Sequence, residues 1–259
     1  MRGRRTAAGH FAGGDPVSDT VLRALLDAAS ATYRPAGPFA YHFARGKLGA
    51  DPLFRLLLQR GMFPAAARVV DLGCGQGLLA SWLLAARHLY ECGRWAREWP
   101  APPKLLGLRG VDRNPREVAR ARRALAGDAA IVEIRQGDIA TLETADFGPV
   151  DVVTILDVLH YLDFAAQESL LRKVRDALPA GGRLFARVGN TDAGLPHRVS
   201  TAVDLAVAFA RGHRLPRLYC RSSRSWIALL EGLGFSVHGE PMGTGRSFAN
   251  VMLVAQLPL

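Results

Sequence analysis

From Arg68 to Gln256 the chain alternates two apolar patterns. Short runs dominated by Val, Leu and Ile are followed by longer stretches whose apolar positions recur every three or four residues. The first pattern suits strands buried on both faces, the second amphipathic helices. Strands are predicted at Arg68–Leu72, Leu105–Asp112, Ala130–Gln136, Val150–Leu156, Arg183–Val188, Phe235–Glu240 and Phe248–Gln256. Between them fall a helix carrying Leu78, Leu79, Trp82, Leu83, Ala86 and Leu89, one over about Pro115–Ala126, and one from the Asp163 cap to Leu178. Two more lie around Thr201–Arg211 and Ser225–Leu233, and a Gly-rich turn at Met242–Gly245 joins the last two strands. Alternation of this kind argues for a parallel sheet covered on both faces, a doubly wound, Rossmann-like α/β fold.

Ahead of the first strand the pattern is helical. One helix is predicted from Ser18 or Asp19, with Val21, Leu22, Leu25, Leu26 and Ala29 on one stripe, ending before Pro35. The segment Pro38–Pro52, aromatic, basic and glycine-containing, reads as a structured loop. A second helix has Asp51 as N-cap, Pro52 at its first position and Gly61 past its end. The expected organisation is a flexible arm at 1–16, a helical cap at 17–66, and a catalytic domain at 67–259. That domain carries an insertion at 91–104 and an acceptor-side segment at 190–224.

The chemistry concentrates at Asp71-Leu-Gly73-Cys74-Gly75-Gln-Gly77, where the first strand meets its helix. Glycines let the chain turn tightly and let a ligand approach without meeting a β-carbon, and a helix N-terminus behind them offers amide donors and a positive dipole end. The spacing is GxGxG after an acid, not the GxGxxG of dinucleotide-binding proteins. Asp112, with Arg113 beside it, ends the second strand and can accept hydrogen bonds from ribose hydroxyls. It lies 39 positions beyond Gly73, a surplus the 91–104 insertion explains if it sits away from the ligand. At Asp138-Ile139 an acid followed by an apolar side chain suits an adenine, and Asp138 equally suits a helix cap.

These motifs, in this order, resemble the class I S-adenosylmethionine-dependent methyltransferases over about Arg68–Gln256. The resemblance implies a seven-stranded sheet, mostly parallel with an antiparallel last strand. It also implies that Asp71, Gly73, Cys74, Gly75 and Gly77 hold the aminocarboxypropyl end of the cofactor, which leaves as S-adenosylhomocysteine. Asp151–Tyr161 resembles the fourth motif of that family in its small-molecule form, so Asp157 is expected to face cofactor and acceptor. It lacks the Asn/Asp-Pro-Pro-Tyr sequence of many amide- and adenine-N-methylating enzymes. In such enzymes residues before the first strand complete the cofactor pocket, which makes Tyr41 and Lys47 candidates, Lys47 as a partner for the methionine carboxylate; a solvated basic loop is the competing reading. The phrase from Tyr33 to Pro52 also resembles methyltransferases found beside bacterial aryl-polyene biosynthesis genes.

For the acceptor, His160 is the candidate base, with a buttress for the cofactor loop as the alternative. Tyr161, His197 and Arg198 are candidates to line the pocket, and Cys74 reads as a small packing residue. Arg183–Arg224 holds eight arginines against Asp192 and Asp204. That surplus is either a solvated basic face or a site for an acidic, phenolic or acyl-carrier-protein-bound acceptor.

Bulk properties narrow the picture only slightly. The 259 residues are 49% apolar, enough for a sizeable core. A net charge of +10 suggests a polyanion, but the charge is almost all arginine and spread along the chain, with no basic-aromatic ladder, which argues against nucleic acid. Three cysteines without metal-ligand spacing favour reduced thiols, no metal and the cytoplasm, and no apolar run has the length of a membrane span. An RNA or protein methyltransferase, a non-catalytic cofactor-binding fold and a nicotinamide oxidoreductase remain as rival readings. Oligomeric state is not legible.

Overall fold

The computed structural model describes residues 16–189, 218–241 and 250–259. The expected arm, the helix around Thr201–Arg211, the Met242–Gly245 turn and the candidates His197 and Arg198 lie outside them.

Seven strands form one sheet: β1 (Ala66–Leu72), β2 (Lys104–Asp112), β3 (Val132–Gln136), β4 (Val152–Leu156), β5 (Arg183–Gly189), β6 (Ser236–Pro241) and β7 (Asn250–Gln256). Their order is β3-β2-β1-β4-β5-β7-β6. The pairings among β1 to β5 are parallel, and β7 runs antiparallel to both β5 and β6. The sequence reverses direction across the sheet between β1 and β4, the switch point where open α/β sheets place their ligands.

Helices cover both faces. α1 (Pro16–Ala31), α2 (Pro38–Ala50), α3 (Pro52–Gln59), α4 (Leu78–Glu91) and α5 (Pro115–Ala124) pack on one side, and α6 (Phe164–Ala177) and α7 (Ser223–Gly232) on the other. Strand alternation divides the apolar side chains between the two layers. In β1, Ala67 and Val69 enter the first layer, and Val70 and Leu72 the second. In β5, Phe185 enters the first, with Leu184, Ala186 and Val188 in the second.

Caps behave as their residue types dictate. Asp51 accepts the Leu53 amide at 3.0 Å, Asp163 the Ala166 amide at 2.8 Å, and Asn114 the Arg116 amide at 3.0 Å. The segment expected as a loop after Pro38 is instead α2, with Ala40, Ala44 and Leu48 buried at four-residue spacing. Its glycines obscured the pattern, because glycine disfavours helix in isolation. Burial of that stripe against α1 and α4 overrides the propensity.

The 91–104 stretch closes over the amino end of α1. Trp99 and Ala96 pack with Val21, and the Ser18 hydroxyl donates to Glu98 at 2.6 Å. Since Lys104 pairs with Ala66 at the start of β1, this stretch sits at the amino-terminal edge of the sheet, opposite the glycine loop.

Candidate cofactor and acceptor site

β1 brings Asp71 onto the first-layer face, two residues beyond Val69. It is buried, only 4% exposed, and the Thr154 hydroxyl of β4 donates to its Oδ1 at 2.7 Å. Burial lifts its carboxyl to about 6; the Thr154 bond partly opposes that rise and the Asp112 charge adds to it. A carboxyl held at the edge of ionisation at the end of a central strand suits a cationic ligand group.

The three glycines of the loop all have left-handed backbones, yet their surroundings differ. A β-carbon at Gly73 would lie 2.2 Å from a methyl of Val158, and one at Gly77 2.7 Å from Leu125. At Gly75, φ 54, a β-carbon would meet nothing within 4 Å. Gly73 and Gly77 are therefore required by packing, whereas Gly75 faces open space, the cradle a ligand needs. The loop is tied to the end of β2: the Gly73 and Cys74 amides donate to the Val111 carbonyl at 2.7 and 3.1 Å, and the Gly75 amide to Asp112 Oδ2 at 2.9 Å. Asp112 also accepts the Asn114 amide at 2.8 Å through Oδ1. Each oxygen keeps a lone pair for a further donor.

Cys74 points inward instead. Its sulfur lies 2.8 Å from where a β-carbon of Gly110 would stand, and burial pushes its thiol well up. It is a packing residue, and only its backbone borders the cradle. Asp138 caps the short 3-10 turn Ile139–Thr141 by accepting the Ala140 amide at 2.9 Å. Ile139 is buried in the second layer. Arg113 is exposed just beyond Asp112.

At the end of β4 the chain turns through Asp157 into the 3-10 turn Leu159–Tyr161. The His160 and Tyr161 rings lie 4.2 Å apart, and the His160 carbonyl accepts the Tyr219 amide at 2.9 Å. Tyr41 sits on α2 beneath the Arg34 guanidinium, 5.2 Å away. Lys47 lies 2.7 Å from Asp51 and 3.8 Å from Asp157, so two acids hold it at the cofactor end of the sheet.

Residues 70–184 match the family described as methyltransferase domain. A trans-aconitate 2-methyltransferase from Methylobacterium nodulans is 34% identical over 154 residues, covering 60% of this chain and 50% of that protein. The chain thus spans about half the length of this curated relative. Among solved structures, an O-methyltransferase family protein from Burkholderia thailandensis has a TM-score of 0.59 at 20% identity, over 93% of this chain and 67% of that one. The magnesium protoporphyrin IX methyltransferase of Synechocystis, determined with bound SAH, has a TM-score of 0.54 at 19% identity, over 92% and 99%. The fold is the class I methyltransferase fold.

On this methyltransferase fold, the structure brings Asp71, Gly75, Asp112, Lys47, Asp157 and His160 to the carboxyl ends of the central strands. Other contributors escaped the sequence reading. Tyr33, fully buried, donates its hydroxyl to the Gln76 carbonyl at 2.9 Å and so ties α1 to the glycine loop; burial raises its phenol. It continues the α1 stripe four residues after Ala29, a signal that was there to be read. Thr154, a hydroxyl inside an otherwise apolar strand, was the visible clue to Asp71's partner.

The arginine surplus dissolves in part. Arg183 donates to the Met62 carbonyl at 2.6 Å; Arg221 bonds Gln167 at 2.9 Å and Glu168 at 2.8 Å; Arg187 pairs with Asp51 and Asp157. Their partners lie outside the counted segment, so a local charge tally overstated its basicity.

Proposed function

We propose that the chain is an S-adenosylmethionine-dependent methyltransferase acting on a small acidic molecule. The observation that carries this reading is Gly75: a left-handed glycine with open space before it, tied to Asp112 and one strand end from buried Asp71. That arrangement fits a ligand with a cationic amino-acid end and a ribose, since Asp71 can compensate the cation and Asp112 can accept from hydroxyls. When bound, S-adenosylmethionine supplies an electrophilic methyl group on a sulfonium. The chain's own residues then align the acceptor and keep water out. His160, on the turn facing the acceptor side, is the group proposed to take a proton where the acceptor has one to lose.

An acidic acceptor is favoured by the resemblance to the trans-aconitate enzyme, whose substrate is a small carboxylic acid. Of the arginines counted toward that role, Arg183, Arg187 and Arg221 are occupied with internal partners; among the other five, Arg198, beside His197, is the proposed anchor. Carriage of the acceptor on an acyl-carrier protein is the narrower form of the proposal, and O- or C-methylation both fit it. Free thiols at Cys74, Cys92 and Cys220 agree with a cytoplasmic setting. Among the described residues no helix is long and apolar enough to cross a membrane.

Isothermal titration tests the reading directly. Micromolar binding of S-adenosylhomocysteine without binding of NAD is the expected result, and the reverse pattern would overturn it. Release of S-adenosylhomocysteine on mixing with S-adenosylmethionine and trans-aconitate, or another small polycarboxylate, tests the acceptor class; turnover on RNA alone would refute it.

A further inference from the structure

Among the described residues, Asp157 is the one non-glycine with a left-handed backbone, φ 60. A residue with a β-carbon holds that conformation only where its surroundings over-determine it. Its side chain is held by one guanidinium, with the Lys47 ammonium 3.8 Å from Oδ2. Arg187 Nε donates to Asp157 Oδ1 at 2.6 Å, Nη2 donates to Oδ2, and the Arg187 carbonyl accepts the Asp157 amide at 3.3 Å. The other arm of the fork, Nη1, donates to both oxygens of Asp51 at 2.6 and 2.7 Å.

Arg187 is 4% exposed, so its charge would be costly alone. Two carboxylates enclose it, and Lys47 closes the group at 2.7 Å from Asp51, giving two cations and two anions. Three distant stretches meet here: the α2–α3 junction, the end of β4, and β5.

What Asp157 holds matters more than its own charge. The next residue, Val158, packs where a β-carbon of Gly73 would be, so the turn rests directly on the glycine loop. Two and three residues further on come His160 and Tyr161. The conformation of Asp157 therefore sets the spacing between the cofactor cradle and the acceptor-side turn.

We propose that Arg187 is a positioning residue: braced on Asp51, its guanidinium clamps Asp157 in the left-handed conformation and thereby fixes the 157–161 turn against the glycine loop. The role rests on the methyltransferase reading only for its consequence on ligand binding; the clamp itself is a property of the chain. Four carboxylate oxygens are met by the planar guanidinium fork, which an ammonium cannot reproduce.

The test combines Arg187→Lys, which keeps the charge and loses the fork, with Asp157→Gly, which adopts φ 60 without a clamp. Two readouts are taken: S-adenosylhomocysteine affinity by calorimetry, and hydrogen exchange of the Tyr161 and Leu162 amides, bonded within the turn to Val158 and Leu159. Arg187→Lys is expected to weaken binding about tenfold and speed exchange of those two amides about tenfold, with amides of β1 and β4 unchanged. In the Asp157→Gly background the same change should alter both readouts less than twofold. Equal acceleration across the sheet, unchanged turn amides, or additive effects in the double variant would overturn the clamp.

If the wild type fails to bind S-adenosylhomocysteine, the methyltransferase reading falls and the exchange data still decide the clamp. Should Arg187→Lys not fold, Asp51→Asn serves. Asparagine still caps α3, so a smaller acceleration confined to the same two amides is expected, and none would overturn the bracing role.

Discussion

At Asp71 a carboxyl is buried at the end of a central strand, and its partial neutrality has measurable consequences. With a native value of about 6 against the ordinary 3.8, the folded protein holds this proton more tightly than the unfolded chain. The stability it contributes is therefore present below pH 4 and lost as pH rises through 6. Asp71→Asn, which keeps an acceptor for Thr154, removes that loss. Urea denaturation should show the variant and wild type nearly equal at pH 4 and the variant more stable at pH 8, by on the order of 3 kcal/mol. A gap that does not widen with pH would show that the burial is not costly. The same change should weaken S-adenosylhomocysteine binding at pH 8, and wild-type affinity should fall as pH drops below 6.

Two glycines separated by one residue offer a sharper contrast. Gly75→Ala meets no atom and bears only left-handed strain of about 1 kcal/mol, so the melting temperature should drop by a few degrees while cofactor affinity drops tenfold or more. Gly73→Ala drives a β-carbon into Val158 and should lose several times as much stability. Thermal melts of both variants, each with and without S-adenosylhomocysteine, distinguish the packing role from the ligand-facing one. The sequence marks both as glycine; only the neighbours of each β-carbon position tell them apart.

On the scale of elements, most boundaries were legible because caps and apolar period agree. The Asp51-Pro52 start and Gly61 stop delimit α3, and Asp163 starts α6, as their chemistry predicts. The α2 helix shows where that logic failed: Gly46 and Gly49 hid a buried stripe of Ala40, Ala44 and Leu48. The correction can be measured. Gly46 is exposed and a β-carbon there meets nothing, so Gly46→Ala should stabilise by about 0.5–1 kcal/mol, raising the melting temperature. A loop at Gly46 would show no such gain. Gly49→Ala should gain less, because its β-carbon would press on Leu26 at 3.2 Å.

For the whole molecule, the sheet separates two ends with different duties. Its carboxyl end gathers the glycine loop, Asp112 and the 157–161 turn; its amino end carries the Trp-bearing 91–104 stretch against α1. Trp99→Ala should therefore cost about 3–5 kcal/mol in urea denaturation and leave S-adenosylhomocysteine affinity within twofold. A large loss of affinity would mean the two ends are coupled.

Local chemistry suffices for what the sequence determined: the strand–helix alternation, the caps, and a GxGxG loop followed in order by Asp112 and Asp138. Each of these motifs is set by residues within a turn or two of each other, and their order is read directly along the chain, so both survive in one dimension. Which acid meets which cation does not. Arg187 finds Asp51, at the α2–α3 junction, across 136 positions, and Thr154 finds Asp71, its partner on the neighbouring strand, across 83, because folding brings segments far apart in the chain side by side. A charge counted along the chain carries no record of that pairing, and burial, which makes the pairing matter, exists only once both layers close over the strands.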